Sequence, residues 1–195
     1  MSTPLDSQFK NGVLLWHQWL TGRAPDLPEG AEAVPKPGLP KDGGARSAMA
    51  RCRTVADALL APPFAQFVRY VLPDETERKA FAERPKNLAA LARAAVAVGQ
   101  VGAADLRKSF PEQMAEDAGG GRPRVSRVVA HGLLSTENAD EALYHAVQII
   151  ATLREKANVV DLAHGMMLWP KTRSGWAYRY NDAVLGLAKP VAPAK

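Results

Sequence analysis

From Ala139 to Leu153 the apolar residues Ala139, Leu143, Ala146, Val147, Ile150 and Leu153 recur at steps of three and four. That period places them on one face of an α-helix, and no stretch of useful length in the chain alternates apolar and polar residues at period two. Asn138, with Glu141 three residues on, is a capping-box-like start for this helix. A helix from about Val125 to Leu134 is expected before it. Another opens at Asn158, with Asp161 at the same offset, and must stop at Trp169 because Pro170 cannot continue it. A last helix from about Ser174 sets Trp176, Tyr180, Ala183, Val184 and Leu187 on one side.

The N-terminal part follows the same pattern. Leu5, Phe9, Val13, Trp16 and Leu20 form the stripe of an opening helix, with Trp19 widening it and Gly22 ending it. Residues 23–44 carry Pro25, Pro28, Pro35, Pro37 and Pro40 and are read as a long non-helical insert. A helix is expected from about Gly44 to Leu60. Pro62 and Pro63 start the next, where proline is tolerated, and Pro73 stops it. Asp74 to Lys86 reads as an exposed turn or short helix. Lys86 to Val98 is almost entirely Ala, Leu and Val, so this helix is expected at the centre, closed by Gly99 and Gly102. Ser109 and Glu112 pair as a cap for a short helix through Phe110 and Met114. Gly119, Gly120 and Gly121, with Pro123, mark the clearest boundary. The expected fold is all-α, with about eight to ten helices in two packed subdomains. These are a helical domain over 1–118, with the insert at 23–44, and a helical bundle over 119–195.

The chain has 195 residues and a formal charge of +5. Its length allows one large or two small domains with real cores. No apolar run approaches the roughly 20 residues of a membrane span. The start, MSTPLDSQFKNG, lacks the basic and apolar regions of a signal peptide. The single cysteine, Cys52, excludes an internal disulfide and a multi-cysteine metal site. The expected location is the cytoplasm. Positive charge is gathered in Lys41–Arg53, Arg122–Arg127 and Lys171–Lys195, whereas Thr136–Asp161 is acidic.

Catalytic patterns are sparse. His17, His131, His145 and His164 are scattered and read as satisfied surface or core residues. Cys52 lies between two arginines but has no partner base, and reads as a structural thiol. Gly102 to Ser109 lacks the glycine and the preceding strand of a phosphate loop. Gly119–Arg122 could cradle a phosphate before a helix start, although a flexible interdomain turn fits the same residues. Trp16, Trp19, Trp169 and Trp176 could stack on bases, but their helical spacing among aliphatic neighbours places them in the core.

The order of several short motifs resembles the small subunit of the type I-E CRISPR surveillance complex Cascade, the CasB family. The motifs are Asp42-Gly43-Gly44-Ala45-Arg46-Ser47-Ala48-Met49-Ala50-Arg51, Asp57-Ala58-Leu59, Pro62-Pro63-Phe64, Ser109-Phe110 and Arg124-Val125-Ser126. They continue with Leu143-Tyr144, Asn158-Val159 with Leu162-Ala163, Trp169, and Trp176-Ala177 with Tyr180. The likeness spans nearly everything but the proline-rich insert. Basic positions of the family pattern carry other residues at Ala50, Val129-Ala130 and Gln148-Ile149.

The resemblance implies a non-enzymatic subunit with no cofactor, present in two copies beside the other Cascade subunits. Its implied partners are guide RNA and the target and displaced DNA strands, with no membrane. Its implied task is to stabilise the R-loop through backbone contacts during antiviral defence. The candidate nucleic-acid-binding residues are Arg46, Arg51, Arg53, Arg122, Arg124, Arg127, Arg154, Arg173 and Arg179. Arg46, Arg51 and Arg124 lie on matching motif positions. Two other readings stay open from the residues. One is a stand-alone α-helical nucleic-acid-binding or assembly protein outside CRISPR. The other is a helical enzyme built around His131 or His164.

Overall fold

A computed structural model of the protein describes residues 4–38 and 43–187. Pro40, the charges of Lys41 and Asp42, and the basic residues Lys189 and Lys195 lie outside the described residues, as does the side chain of Leu5, expected in the first stripe. The fold is all-α. Eleven helices are present among the described residues, together with one pair of two-residue strands.

Helix α1 (Pro4–Thr21) buries Val13, Leu14, Trp16, Trp19 and Leu20 and packs on α4 (Pro62–Val71). The two backbones come close because Gly12 has no side chain: a Cβ there would stand 2.4 Å from the Tyr70 carbonyl oxygen. Trp16 fastens the pair. Its Nε1 donates to the Pro63 carbonyl over 3.1 Å, and its ring meets Phe67 edge-on at 4.8 Å between centroids.

The single helix expected over 44–60 is two, α2 (Gly43–Arg51) and α3 (Val55–Leu60). Thr54 breaks the run. Its hydroxyl accepts from the Asp57 N–H, and the Asp57 carboxylate accepts from the Arg53 and Thr54 N–H groups. This Thr-x-x-Asp box starts a new helix where apolar spacing alone reads straight through. These bonds, that from the Arg53 amide foremost, hold the Asp57 carboxyl below its ordinary range. A short helix α5 (Glu75–Ala82), capped by Asp74, forms in the segment read as turn or short helix. The split and this extra helix take the count above the eight to ten expected.

Helix α6 (Pro85–Gly99) is the centre. Leu91, Ala92, and every residue from Ala94 to Gly99 are buried. Helix α7 (Phe110–Met114) carries the expected Ser109–Glu112 box. Helices α8 (Arg127–Ser135), α9 (Ala139–Thr152), α10 (Val159–Met167) and α11 (Arg173–Leu187) complete the fold. Asn138 and Asn158 cap α9 and α10 with their side-chain oxygens. Asp161 does not close a box with Asn158; its carboxylate turns to the Phe110 N–H at the start of α7.

Helix α10 packs on α6 and α1, and α9 packs on α6. The buried apolar residues form one cluster from Val13 to Val184, continuous across the Gly119–Gly121 turn. That turn is tightly closed. All three glycines have positive φ, and Ala118, Arg124 and Val125 donate to the carbonyls of Arg122, Glu116 and Met114. Strands β1 (Ala103–Ala104) and β2 (Lys156–Ala157) pair in parallel. Period-two reasoning has no purchase on strands of two residues, and neither was expected. All four tryptophans are buried, as their spacing required. No helix among the described residues is long and apolar enough to cross a membrane.

Two expected outcomes follow from the core. A Cβ on Gly165 would stand 2.0 Å from the Trp176 ring. Gly165→Ala should therefore cost about 3 kcal/mol by overpacking, measured by urea unfolding. His17 is buried with Nε2 3.0 Å from the Val101 carbonyl, to which it donates as a neutral ring. Burial lowers its pKa to about 4, assisted by the Arg46 charge and opposed by the carbonyl bond. The unfolded chain, with its histidine pKa near 6.5, takes up the proton first. Stability should therefore fall as pH drops from about 6.5 to about 4, by about 3 kcal/mol in all. Thermal melts across that window should show the loss, and His17→Gln, which keeps an N–H donor but does not titrate, should remove this component.

Candidate nucleic-acid interface

The nine candidate arginines divide by what their side chains touch. Four face carboxylates. Arg46, on α2, meets Glu155 at 3.0 Å. Arg124, before α8, meets Glu116 at 3.2 Å. Arg173 and Arg179, on α11, meet Glu137 at 3.1 Å and Asp161 at 3.4 Å. Arg173 also donates to the Ser135 carbonyl, tying α11 to the end of α8. Arg53 makes only neutral bonds, to the carbonyls of Ala50 and Cys52 and to the Gln100 side chain.

Arg51, Arg122, Arg127 and Arg154 are exposed. Their side chains make no hydrogen bond or ion pair among the described residues. Of the three arginines on matching motif positions, only Arg51 has an uncommitted guanidinium. The ion pairs of Arg46 and Arg124 leave those side chains 41% and 46% exposed, so both remain within reach of a competing phosphate. Such exposed pairs are worth about 1 kcal/mol or less.

Two groupings emerge. Arg122 and Arg127 border the same shallow depression of about 410 Å³, with Gly121, Pro123, Ser126 and Val184. Ser126 caps α8 there through Val129, and the first turn of that helix carries no acid. The other grouping surrounds the C-terminal end of α6. Gln100, just past α6, takes the Arg53 bond, and the Gly102 N–H donates to the Glu155 carbonyl. A Cβ on Gly102 would stand 2.9 Å from both the Arg46 guanidinium and the Glu155 carboxylate. Arg154 occupies the turn beside them with φ of 57°, and Glu155 follows at 56°. The left-handed region costs a non-glycine residue about 1 kcal/mol or more. An arginine therefore stands, under backbone strain, where a glycine would sit at ease.

Sequence reasoning missed several features of this surface. Arg93 of α6, largely buried, reaches Asp140 of α9 at 3.4 Å. Tyr144, Tyr178, Val128 and Leu185 are large apolar side chains left in solvent. The tyrosine and leucine of α11 were legible, since they lie opposite the Trp176–Tyr180–Val184 stripe. Cys52 is buried, and burial raises its thiol pKa ahead of the neighbouring charges. It is a structural thiol, as its lack of a partner base implied.

Comparison with protein-family models, with curated proteins and with solved structures found no match to this chain.

Replacing Arg51, Arg122, Arg127 and Arg154 together by Ala should leave unfolding free energy within about 0.5 kcal/mol, because no bond is lost. Arg154→Gly alone should raise it by about 1 kcal/mol by relieving the backbone. Chemical denaturation of both variants checks the pair.

Proposed function

We propose that this chain is a non-catalytic small subunit of a type I-E CRISPR Cascade complex, holding nucleic-acid backbone and stabilising the R-loop. The ordered motif set from Ala45-Arg46 to Tyr180 supports the family reading, and it falls on an all-α fold. The observation that carries the nucleic-acid part is the set of four exposed arginines with no partner among the described residues. One of them, Arg154, is kept in a backbone conformation that disfavours a side chain.

The physics suits backbone binding. Guanidinium groups donate to phosphate oxygens in a planar fork and neutralise charge without reading bases. Strand exchange between a DNA duplex and a guide–target hybrid is nearly balanced, so a few backbone contacts tip it. Arg46 and Arg124 would join by exchanging Glu155 and Glu116 for phosphate.

The test is co-expression of the tagged chain with its neighbouring genes and a CRISPR array. A stoichiometric particle containing guide-length RNA is expected. Assembly of the remaining subunits with RNA while this chain purifies alone would refute the reading. Within the particle, Arg51, Arg122, Arg127 and Arg154 to Ala should weaken target-DNA binding. The slope of log affinity against log salt should flatten by about 3 to 4 if each arginine neutralises one phosphate.

A further inference from the structure

The proline-rich segment 23–38 crosses a groove of about 1430 Å³ bounded by α1, α4, α6 and α10. Leu27, Ala31 and Val34 of the segment form one wall, and Phe9, Leu14 and Leu91 are part of the other. The segment is itself mostly exposed, with Leu27 and Val34 half-buried. Gly22, in the left-handed region at φ 69°, turns the chain from α1 into it.

Among the described residues, past the Arg23 N–H that donates to the Thr21 hydroxyl where the segment leaves α1, one point fastens the segment's backbone to the core. The Asp26 N–H donates to the Ala104 carbonyl over 2.8 Å, and the Asp26 carbonyl accepts from the Leu106 N–H over 2.8 Å. The Asp26 side chain adds ionic contacts, to Lys156 at 2.9 Å and Arg107 at 4.0 Å. Both cations also hold Asp105, Arg107 at 2.6 Å and Lys156 at 3.4 Å. Asp105 is rooted in the core and 10% exposed, whereas Asp26 and Arg107 are each 55% exposed and Lys156 39%. Arg107 therefore belongs firmly to Asp105, whereas Lys156 lies nearer Asp26 and is the chief ionic hold on that half-exposed carboxylate. Exposed pairs of this kind are weak and screened by salt. A segment whose contacts with the core beyond its first residue are the Asp26 tether and the half-buried Leu27 and Val34 opens at lower free energy than the core beneath it.

We propose that residues 23–38 form an electrostatically latched strap: Asp26 is the latch, and its release bares the apolar wall of Phe9, Leu14 and Leu91 in a groove of otherwise mixed lining while the helical core stays folded. The strap pairs through Asp26 to one side of residues 104–106, and β2 pairs to the other. The two sides provide their own internal control.

Amide hydrogen exchange of the full chain reads both. In Asp26→Asn, the backbone amides of the substituted residue and of Leu106 should exchange about five- to tenfold faster. The amides of Ala103 and Asp105, which donate to the Glu155 and Ala157 carbonyls, should keep their rates. Raising NaCl from about 0.05 M to 0.5 M should speed the same two strap amides in the unmodified chain. Lys156→Gln should reproduce the effect without altering Asp26. Anilinonaphthalene sulfonate, used as an apolar probe, should bind more strongly to Asp26→Asn at unchanged helix content. Equal acceleration of all four amides would mean that the strap opens only with the fold and would overturn the proposal. Unchanged strap amides in both variants, or no gain in dye binding, would overturn it as well.

Discussion

Everything in this fold leans on the smallness of the side chains along α6. Ala92, Ala94, Ala95, Ala97 and Gly99 are wholly or almost wholly buried, and neighbouring helices can approach its backbone closely for that reason. At Gly99 a Cβ would stand 2.8 Å from the Met49 side chain. Large residues on the surrounding helices then fill the volume that α6 leaves: Trp16 and Leu20 from α1, Phe67 from α4, Leu143 and Ile149 from α9. Interiors pack at crystal-like density, so a thin central helix requires thick neighbours. Trp16 and Phe67 answer that requirement, whereas Phe110, Trp169 and Trp176 pack on one another at the other end of the core.

The same economy governs charge. Most ion pairs among the described residues join segments far apart in sequence, such as Arg46 with Glu155, Arg93 with Asp140, Arg173 with Glu137 and Lys156 with Asp26. Arg107 and Lys156 converge on Asp105, whose carboxyl is held down to about 2, chiefly by the Arg107 hydrogen bonds. Carboxylates thus absorb cations where elements meet, although Arg154 stays uncommitted beside one such junction, next to Glu155. The modest net charge of +5 conceals that sorting.

Much of the fold was legible. The stripes of α1, α4, α6, α9 and α11 and the caps at Asn138, Asn158 and Ser109 follow from spacing and residue type, because each depends on neighbours within a turn or two. What escaped depends on distant partners or overlapping signals. Thr54 was lost because apolar residues continue on both sides of it, at Met49 and at Val55 and Leu59, with no proline or glycine to mark the break. The parallel strands were invisible because Ala103 and Lys156 acquire their meaning only from each other. The candidate site was half legible. Clusters of arginine were plain in the sequence, but Arg46 and Arg124 look identical to Arg51 until Glu155 and Glu116 appear beside them. The strain at Arg154 has no sequence signal.

The position of α10 has a consequence for biosynthesis. It is a principal cover of α6, yet it comes from residues 159–167, long after α6 closes at Gly99. A ribosome adding about 5–20 residues per second leaves the alanine-rich face of α6 uncovered for several seconds. During that interval α6 packs on α2, α3, α4 and α5, and the face that α9 and α10 later cover stays open. The chain thus completes the cover of α6 only after translation has passed residue 167.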